Sequence, residues 1–437
     1  MRPLGEVLET VMLDRGGAPL HFVLTHGVFV VDASAEALRW LSVVCALAAV
    51  PLCFDLGRRL GGPAAGLVAA AVVASSTALA VYGSFGRMYA LYVLVAALAA
   101  DLFVRALEHR TRGAVTVAAA AAWLLPAVHP YGLIPALVAL AVAAVVWRRR
   151  SLWDALPVVV AVLAAIPFVF ADLRLAGRSE VGEGGATLAS PGDAWGELVA
   201  AVSSFAGGSG VLLLVFTALA VAGLVVLAAQ KPAVALLAAA VAVPPVLFVL
   251  IPAGSEPDLS PRHLFYGLPL WAAAIGVGVA SLCRWIPDRA WPVVVVAVIA
   301  LAVVAPASAL KDPRELGLLP TETPTVQAGA GDLLFPYATP FLAGLGDVRE
   351  ALALPQGPGD QILRTLEHAD EPIRAVHVAM PRDEWEVVTL RGPFDEESAL
   401  LAAADAIATA QRPPELDWWY VLVERGLRAA TLPRRGG

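Results

Sequence analysis

The stretch SGVLLLVFTALAVAGLVVLAA, residues 209–229, contains no charged side chain. A helix of about 20 residues rises about 30 Å, which matches the hydrocarbon core of a bilayer. Backbone polar groups find no partners in lipid, so an apolar segment of this kind crosses the bilayer as a helix. The stretch therefore predicts a transmembrane α-helix.

The composition of the whole 437-residue chain has the same character. Apolar residues make up 59% and charged residues 15%, the mean hydropathy is +0.75, and the net charge is −7. Soluble domains carry roughly 45–50% apolar and about 25% charged residues. The composition therefore predicts a polytopic membrane protein, and it excludes a disordered chain and a nucleic-acid-binding surface.

Further apolar segments of similar length give about ten candidate spans in all. The predicted fold class is an all-α polytopic membrane protein with a small C-terminal α/β domain outside the membrane. The candidate spans are residues 41–57, 63–82, 88–107, 113–128, 132–147, 153–171, 209–229, 232–252, 264–283 and 290–309.

Arginine and lysine are distributed unequally between the two sides of these spans. Cytoplasmic loops of membrane proteins are enriched in these residues. We therefore expect a plasma-membrane protein whose more basic loops are cytoplasmic and whose termini and C-terminal domain are outside. The eleven basic residues of the cytoplasmic set are Arg58, Arg59, Arg105, Arg110, Arg112, Arg148, Arg149, Arg150, Lys231, Arg284 and Arg289, and the four of the outer set are Arg87, Arg174, Arg178 and Arg262.

The distribution of apolar and charged residues divides the chain into three regions. Residues 1–40 carry an apolar stripe at helical spacing and then a short apolar segment, which predicts two amphipathic segments at the membrane surface. Residues 41–310 hold the spans. Residues 320–437 regain prolines and charges and predict a small α/β domain. Its expected elements are strands at 333–336, 373–380 and 418–423 and a helix at 396–411.

Polar side chains recur at the outer ends of the spans, where lipid penalises charge. Arg87 and Arg262 each present a planar fork of donors that fits a phosphate. An interfacial arginine that reaches lipid headgroups is the alternative for both. His129 is a candidate hydrogen-bond donor to a phosphate or sugar, or part of a turn whose Tyr131 anchors the interface. Tyr89 and His263 neighbour these residues.

The N-terminal segment offers weaker candidates. Asp14 is either a solvated cap or turn residue or a catalytic base. His21 and His26 are five residues apart, so they do not share one helix face, and we predict no metal site there.

Five short motifs in this order resemble those of the GT-C glycosyltransferases, in the branch of the protein O-mannosyltransferases and lipid A aminoarabinose transferases. The resemblance covers about residues 1–310. The motifs are PLHFVLTH at 19–26, LGRRLGG at 56–62, YGSFGRMYAL at 82–91, HPYG at 129–132 and PRH at 261–263.

The resemblance implies transfer of a sugar from a polyprenyl-phosphate donor to a glycan, lipid or protein outside the membrane. In such enzymes a carboxylate in the first outer loop is the general base. Arginine, histidine or a divalent metal, Mg or Mn, stabilises the departing phosphate. The matching positions for phosphate or substrate contacts here are Arg87, Tyr89, His129, Tyr131, Arg262 and His263.

The sequence departs from the family pattern in its carboxylates. Members of the family usually begin with one more membrane helix, followed by an Asp-Glu pair that would precede Met1 here. Phe85 and Gly86 replace a second Glu-Ala, and Asp14 is a candidate substitute for the base. Three explanations stay open: a start assigned too late, a fragment, or a catalytically inactive member. A flippase or transporter of lipid-linked sugars is the alternative from another class, and it predicts discontinuous helices and deep polar residues.

Overall fold

The computed structural model describes two compact units, residues 1–311 and 312–437. Within them the described residues are 3–14, 18–32, 35–84, 86–147, 152–176, 186–187, 191–206, 210–240, 243, 258–259, 261–287, 290–309, 333–335, 352–353, 373–380, 386–394, 398 and 402. The predicted helix at 396–411 and the predicted strand at 418–423 lie almost wholly outside them.

The first unit is built of helices. Two short helices, α1 and α2, lie where the sequence predicts surface segments, and α3 begins at Ala35 rather than at residue 41. The first 40 residues belong to the same compact unit as the spans. The helices are α1 (Leu4–Asp14), α2 (Pro19–Val31), α3 (Ala35–Gly61), α4 (Pro63–Ser75), α5 (Thr77–Tyr82), α6 (Tyr89–His109), α7 (Arg112–Val128), α8 (Leu133–Trp147), α9 (Leu152–Ala176), α10 (Pro191–Ala206), α11 (Gly210–Gln230), α12 (Pro232–Ala239), α13 (Leu268–Cys283) and α14 (Trp291–Ala309), with 3-10 turns at Pro130–Gly132 and Pro261–Gly267.

A described helix lies at each of the ten candidate spans. Four segments are long and apolar enough to cross a membrane: Glu36–Gly61, Tyr89–His109, Gly210–Gln230 and Pro261–Cys283. The other described apolar helices are shorter, and α12 is described only to Ala239 within the candidate span 232–252. The chain is a helical membrane protein, and the count of about ten spans stays a prediction.

The candidate span 63–82 is discontinuous, which corrects the prediction of one helix. The break lies at Ser76, whose backbone leaves the helical region and whose hydroxyl accepts from the backbone N–H of Leu79 at 3.5 Å. The same hydroxyl donates to the carbonyl oxygen of Ser204 in α10 at 3.1 Å. A serine hydroxyl can hydrogen-bond to nearby backbone groups in place of their helical hydrogen bonds. A new helix, α5, therefore begins after the break, and the hydrogen bond to Ser204 attaches it to α10.

Glycines allow α13 to approach its neighbours at backbone distance. A Cβ atom at Gly278 would overlap the carbonyl oxygen of Leu219 in α11, and one at Gly223 would overlap that of Ala274. On another side of α13, a Cβ at Gly276 would overlap a backbone oxygen of α4. In the Pro261–Cys283 segment 83% of the most apolar window is buried, so α13 is central in the first unit.

Seven charged side chains from α3, α6 and the turn before α12 form an ion-pair network among the described residues. The buried carboxylate of Asp101, 1% exposed, pairs with Arg105 Nε at 2.7 Å and Arg59 Nε at 3.1 Å. Lys231 Nζ donates to the backbone carbonyl of Arg59 at 3.1 Å. The network thereby holds three helix ends together. Its members are Asp55, Arg58, Arg59, Asp101, Arg105, Glu108 and Lys231.

Two strands of the first unit pair across long loops. Ala186–Thr187, β1, is antiparallel to Asp258–Leu259, β2. The pairing joins the segment between α9 and α10 to the segment before the turn at Pro261.

The second unit contains a mixed sheet of four described strands in the order β4-β3-β5-β6. They are β3 (Leu333–Phe335), β4 (Leu352–Ala353), β5 (Ile373–Met380) and β6 (Glu386–Phe394). Strand β3 is parallel to β4 and β5, and β6 is antiparallel to β5. Among the described strands β6 is at the edge, where Pro393 is tolerated because no ladder bond is needed from it. The predicted strands at 333–336 and 373–380 are present.

We expect Gly278→Ala to lower the free energy of unfolding by about 2 kcal/mol, because the added methyl group overlaps a backbone carbonyl of α11. Thermal or chemical unfolding of the purified protein in detergent measures the change. Gly113→Ala is the matched control, since a Cβ there meets no atom within 4 Å. Equal losses in both variants would contradict the tight contact between α11 and α13.

We expect Asp101→Asn to lower the free energy of unfolding by about 3 kcal/mol, because two guanidinium groups lose their buried counter-charge. Glu108→Gln removes a carboxylate of the same network that is 34% exposed, and should cost under about 1 kcal/mol. The same unfolding measurement compares them. If Glu108→Gln destabilises as much as Asp101→Asn, burial does not set the strength of the network.

Candidate functional site

The turn between α5 and α6 places Arg87 and Tyr89. Gly86 has φ of +71°, which glycine adopts without the steric cost that a side chain brings, and it returns the chain toward α6. The backbone carbonyl of Arg87 accepts a hydrogen bond from Ser42 Oγ in α3 at 3.2 Å. The turn is therefore attached to α3, and Tyr89 begins α6 with 3% of its surface exposed.

The second part of the site is the turn after α7. His129 is extended (φ −151°, ψ 136°), as the residue before a proline prefers, and the helix ends there. His129 Nδ1 accepts from the backbone N–H of Tyr131 at 3.3 Å. In the neutral ring this bond assigns the hydrogen to Nε2, so His129 presents an N–H donor there.

The third part is the 3-10 turn Pro261–Gly267 before α13, which carries Arg262 and His263. The ring of His263 stacks on Tyr131 with centroids 4.6 Å apart and lies 5.5 Å from the ring of His129. Burial, and secondarily the charge of Arg262, lowers the pKa of His129. The second and third turns thus meet at two pairs of rings.

Six residues predicted from three separate turns lie in one group, which we name the basic–aromatic cluster. It consists of Arg87, Tyr89, His129, Tyr131, Arg262 and His263. The ring of Tyr89 is 5.9 Å from that of His129. The ring of Tyr89 also lies 6.1 Å from that of Phe265 in the third turn, which connects the first turn to the third.

Three described residues near the cluster were not predicted as site residues. Tyr92 is fully buried and stacks on His129 at 4.9 Å. Its spacing of three from Tyr89 along α6 could have indicated it, since such residues share a helix face. The ring of Tyr82 meets the rings of Tyr89 and Phe265 edge-on, with centroids 5.0 Å apart in each pair. His21, considered only as a metal ligand, is 7% exposed, and burial together with the charge of Arg87 lowers its pKa to about 4.

The predicted catalytic base lies outside this description. Asp14 is the last residue of α1, and its side chain is outside the described residues. Its role as a base stays a prediction.

A divalent metal does not fit the described part of the site. Within the described residues there is no group of three or more His, Cys, Asp or Glu that could hold one. The two histidines of the cluster also lie beside a guanidinium, whose charge disfavours a second cation. We therefore assign no step to Mg or Mn.

The electrostatics of the cluster favour an anion. Burial, and secondarily Arg262, lowers the pKa of His129 to about 3, so the ring is neutral near pH 7. The permanent positive charges are those of Arg87 and Arg262. Fixed guanidinium forks with neutral N–H and O–H donors form the kind of environment that binds phosphate.

No protein-family model matches the chain, and no curated protein does. The crystal structure of the Archaeoglobus fulgidus oligosaccharyltransferase in complex with Zn and sulfate is similar, with a TM-score of 0.46 and 12% sequence identity. The match covers 84% of this chain and 59% of the other, so this chain spans less than two thirds of that protein's length.

We expect His129 to make the protein sensitive to acid. Its pKa falls from 6.5 when unfolded to about 3 when folded, so protons bind the unfolded state preferentially between these values. Stability is therefore fully present above pH 6.5 and falls by up to about 1.4 kcal/mol per pH unit below it. Unfolding of wild type and His129→Gln at pH 7.5 and pH 5 should show a smaller fall for the variant.

The control for this comparison is His109→Gln, at an exposed position at the end of α6. We expect this variant to lose as much stability between pH 7.5 and pH 5 as wild type does. An equal fall in the His129→Gln variant would show that His129 is not buried as a neutral ring.

Proposed function

We propose that this protein is a membrane glycosyltransferase that transfers a sugar from a polyprenyl-phosphate donor to an acceptor outside the cytoplasmic membrane. The observation that supports the proposal is the basic–aromatic cluster. The turns that carry Arg87, His129 and Arg262 are far apart in the sequence, yet the ring of His129 lies 5.9 Å from that of Tyr89 and 5.5 Å from that of His263. Arginines that only reach lipid headgroups would have no reason to converge there.

In this proposal the cluster binds the donor phosphate. Arg87 and Arg262 neutralise the negative charge that grows on the phosphate as the bond to the sugar breaks. His129 donates from Nε2, since Nδ1 is engaged by the backbone. The ring is neutral near pH 7, so its contribution is a hydrogen bond rather than a proton. The acceptor hydroxyl loses a proton, for which Asp14 is the proposed base.

Two other functions stay open. A flippase of lipid-linked sugars is favoured by the discontinuity at Ser76, although the bond to Ser204 gives that break a structural cause. A non-catalytic member of the family would bind the donor and transfer nothing.

We expect Arg87→Gln and Arg262→Gln each to slow sugar transfer by about 10²–10³-fold, the usual cost of removing one charge-stabilising donor. The assay uses full-length protein in proteoliposomes with radiolabelled polyprenyl-phosphate mannose, glucose or arabinose in turn. Arg112→Gln is the control, because Arg112 is exposed at the start of α7.

The same vesicles separate the alternatives. Transfer of label to an acceptor supports the enzyme, and export of intact donor without transfer supports the flippase. If the protein binds the donor but neither transfers its sugar nor exports it, the enzyme and the flippase are both contradicted and the non-catalytic member is supported. Loss of transfer in the Arg112→Gln variant, equal to that of the others, would contradict a specific role of the cluster.

A further inference from the structure

The aromatic rings in and around the basic–aromatic cluster differ in how deeply they are buried. Tyr89 and His129 are 3% and 4% exposed, and Tyr92, which stacks on His129, is fully buried. Tyr131 and His263 are half-buried, so part of each residue lies at the accessible surface. A ligand that approaches the cluster therefore meets Tyr131 and His263, which we name the rim pair, before it meets the buried rings.

The rim pair forms a flat aromatic surface. Its two rings are stacked, with centroids 4.6 Å apart and planes inclined by 12°. The ring of His129 lies 5.7 Å from that of Tyr131 and 5.5 Å from that of His263, and it is tilted by 45° and 44° to them. His129 therefore packs beside the pair without entering the stack.

A sugar ring matches such a surface. The C–H groups on one side of a sugar form an apolar face, which packs on the electron-rich face of an aromatic ring. Its hydroxyl groups lie around the edge and need hydrogen-bonding partners. Arg262, which precedes His263 in the same turn, is half-buried as well and has donors of this kind. An isoprenoid chain has no hydroxyl groups for such partners, so the rim pair suits a sugar better than a lipid tail.

The rim pair is also close in sequence to the proposed phosphate contacts. The sugar and the phosphate of a glycosyl phosphate share one oxygen, so their two subsites must be neighbours. Arg262 is the residue before His263, and consecutive Cα atoms are about 3.8 Å apart. Tyr131 follows His129 by two residues. Each ring of the pair is therefore within two residues of a proposed phosphate contact.

We propose that Tyr131 and His263 form the subsite for the sugar ring of the donor, which stacks on the accessible part of the rim pair while its phosphate lies at Arg262. The inference rests on the proposed function, since it needs the cluster to bind a sugar phosphate. It assigns the recognition of the sugar to the rim pair, whereas the arginines bind the phosphate whatever sugar it carries.

The test measures the contribution of the sugar separately from that of the phosphate. Full-length protein in phosphatidylcholine nanodiscs is titrated calorimetrically with hexyl phosphate and with mannosyl, glucosyl and arabinosyl hexyl phosphate. Wild type should bind at least one glycosyl compound about fivefold more tightly than hexyl phosphate, the size of effect expected for one stacking contact. This ratio of dissociation constants is the sugar preference.

Tyr131→Leu removes one ring of the rim pair and keeps an apolar side chain. It should weaken binding of the preferred glycosyl compound about fivefold more than binding of hexyl phosphate, which abolishes the sugar preference. His263→Leu removes the other ring, should give the same result, and replaces Tyr131→Leu if thermal unfolding shows that variant to be unfolded. Tyr131→Phe restores the flat ring and should recover most of the preference.

Phe168→Leu is the matched control, because it also removes one ring of an aromatic pair. The ring of Phe168 in α9 lies 5.5 Å from that of Trp123 in α7, and neither residue belongs to the cluster. The variant should unfold at lower temperature and keep the sugar preference of wild type. Loss of the preference in Phe168→Leu would overturn the inference, because the preference would then report packing rather than a sugar contact.

The outcomes separate this inference from the proposed function. If wild type binds none of the four compounds, the phosphate site and the sugar subsite are both wrong. If it binds all four equally well, the phosphate site stands and the sugar subsite is wrong. Equal weakening of all four compounds in Tyr131→Leu or His263→Leu would also overturn the inference, since the rim pair would then only support the fold.

Discussion

The backbone contacts of α13 with α11 and α4 are the constraint on which the first unit depends. Helices in lipid gain little from burying apolar side chains against one another, so close packing through small residues becomes important. Gly223, Gly276 and Gly278 permit that approach. The turn that carries Arg262 and His263 leads directly into α13, so the position of this helix also places two residues of the cluster.

Charged side chains have different surroundings at two places in the first unit. In the network around Asp101 each described carboxylate has arginine or lysine partners, and the charges largely cancel. In the basic–aromatic cluster two arginines lie near neutral histidines and tyrosines. The first arrangement stabilises helix ends, whereas in the second the guanidinium of Arg262 lies near histidine rings that burial keeps neutral.

Much of this organisation follows from the sequence. Hydropathy located a helix at every candidate span, and the shared side of the loops predicted that Arg87, His129 and Arg262 would lie near one another. The break at Ser76 was not predictable, since its cause is Ser204, 128 positions away. The same holds for His21, because spacing along one helix does not show that Arg87 of another turn lies beside it. Local sequence patterns show where helices form, whereas contacts between distant segments become visible only in the folded structure.

The ion-pair network also bears on how the chain enters the membrane. Arg58, Arg59, Arg105 and Lys231 belong to the basic residues that set the expected orientation, yet in the folded protein each pairs with an acidic side chain. Acidic residues contribute little to orientation during insertion. The same four side chains would thus act first as unneutralised charges that retain their loops in the cytoplasm. After the helices assemble, the same side chains form ion pairs that stabilise the fold. One set of residues would thus serve membrane insertion first and stability afterwards.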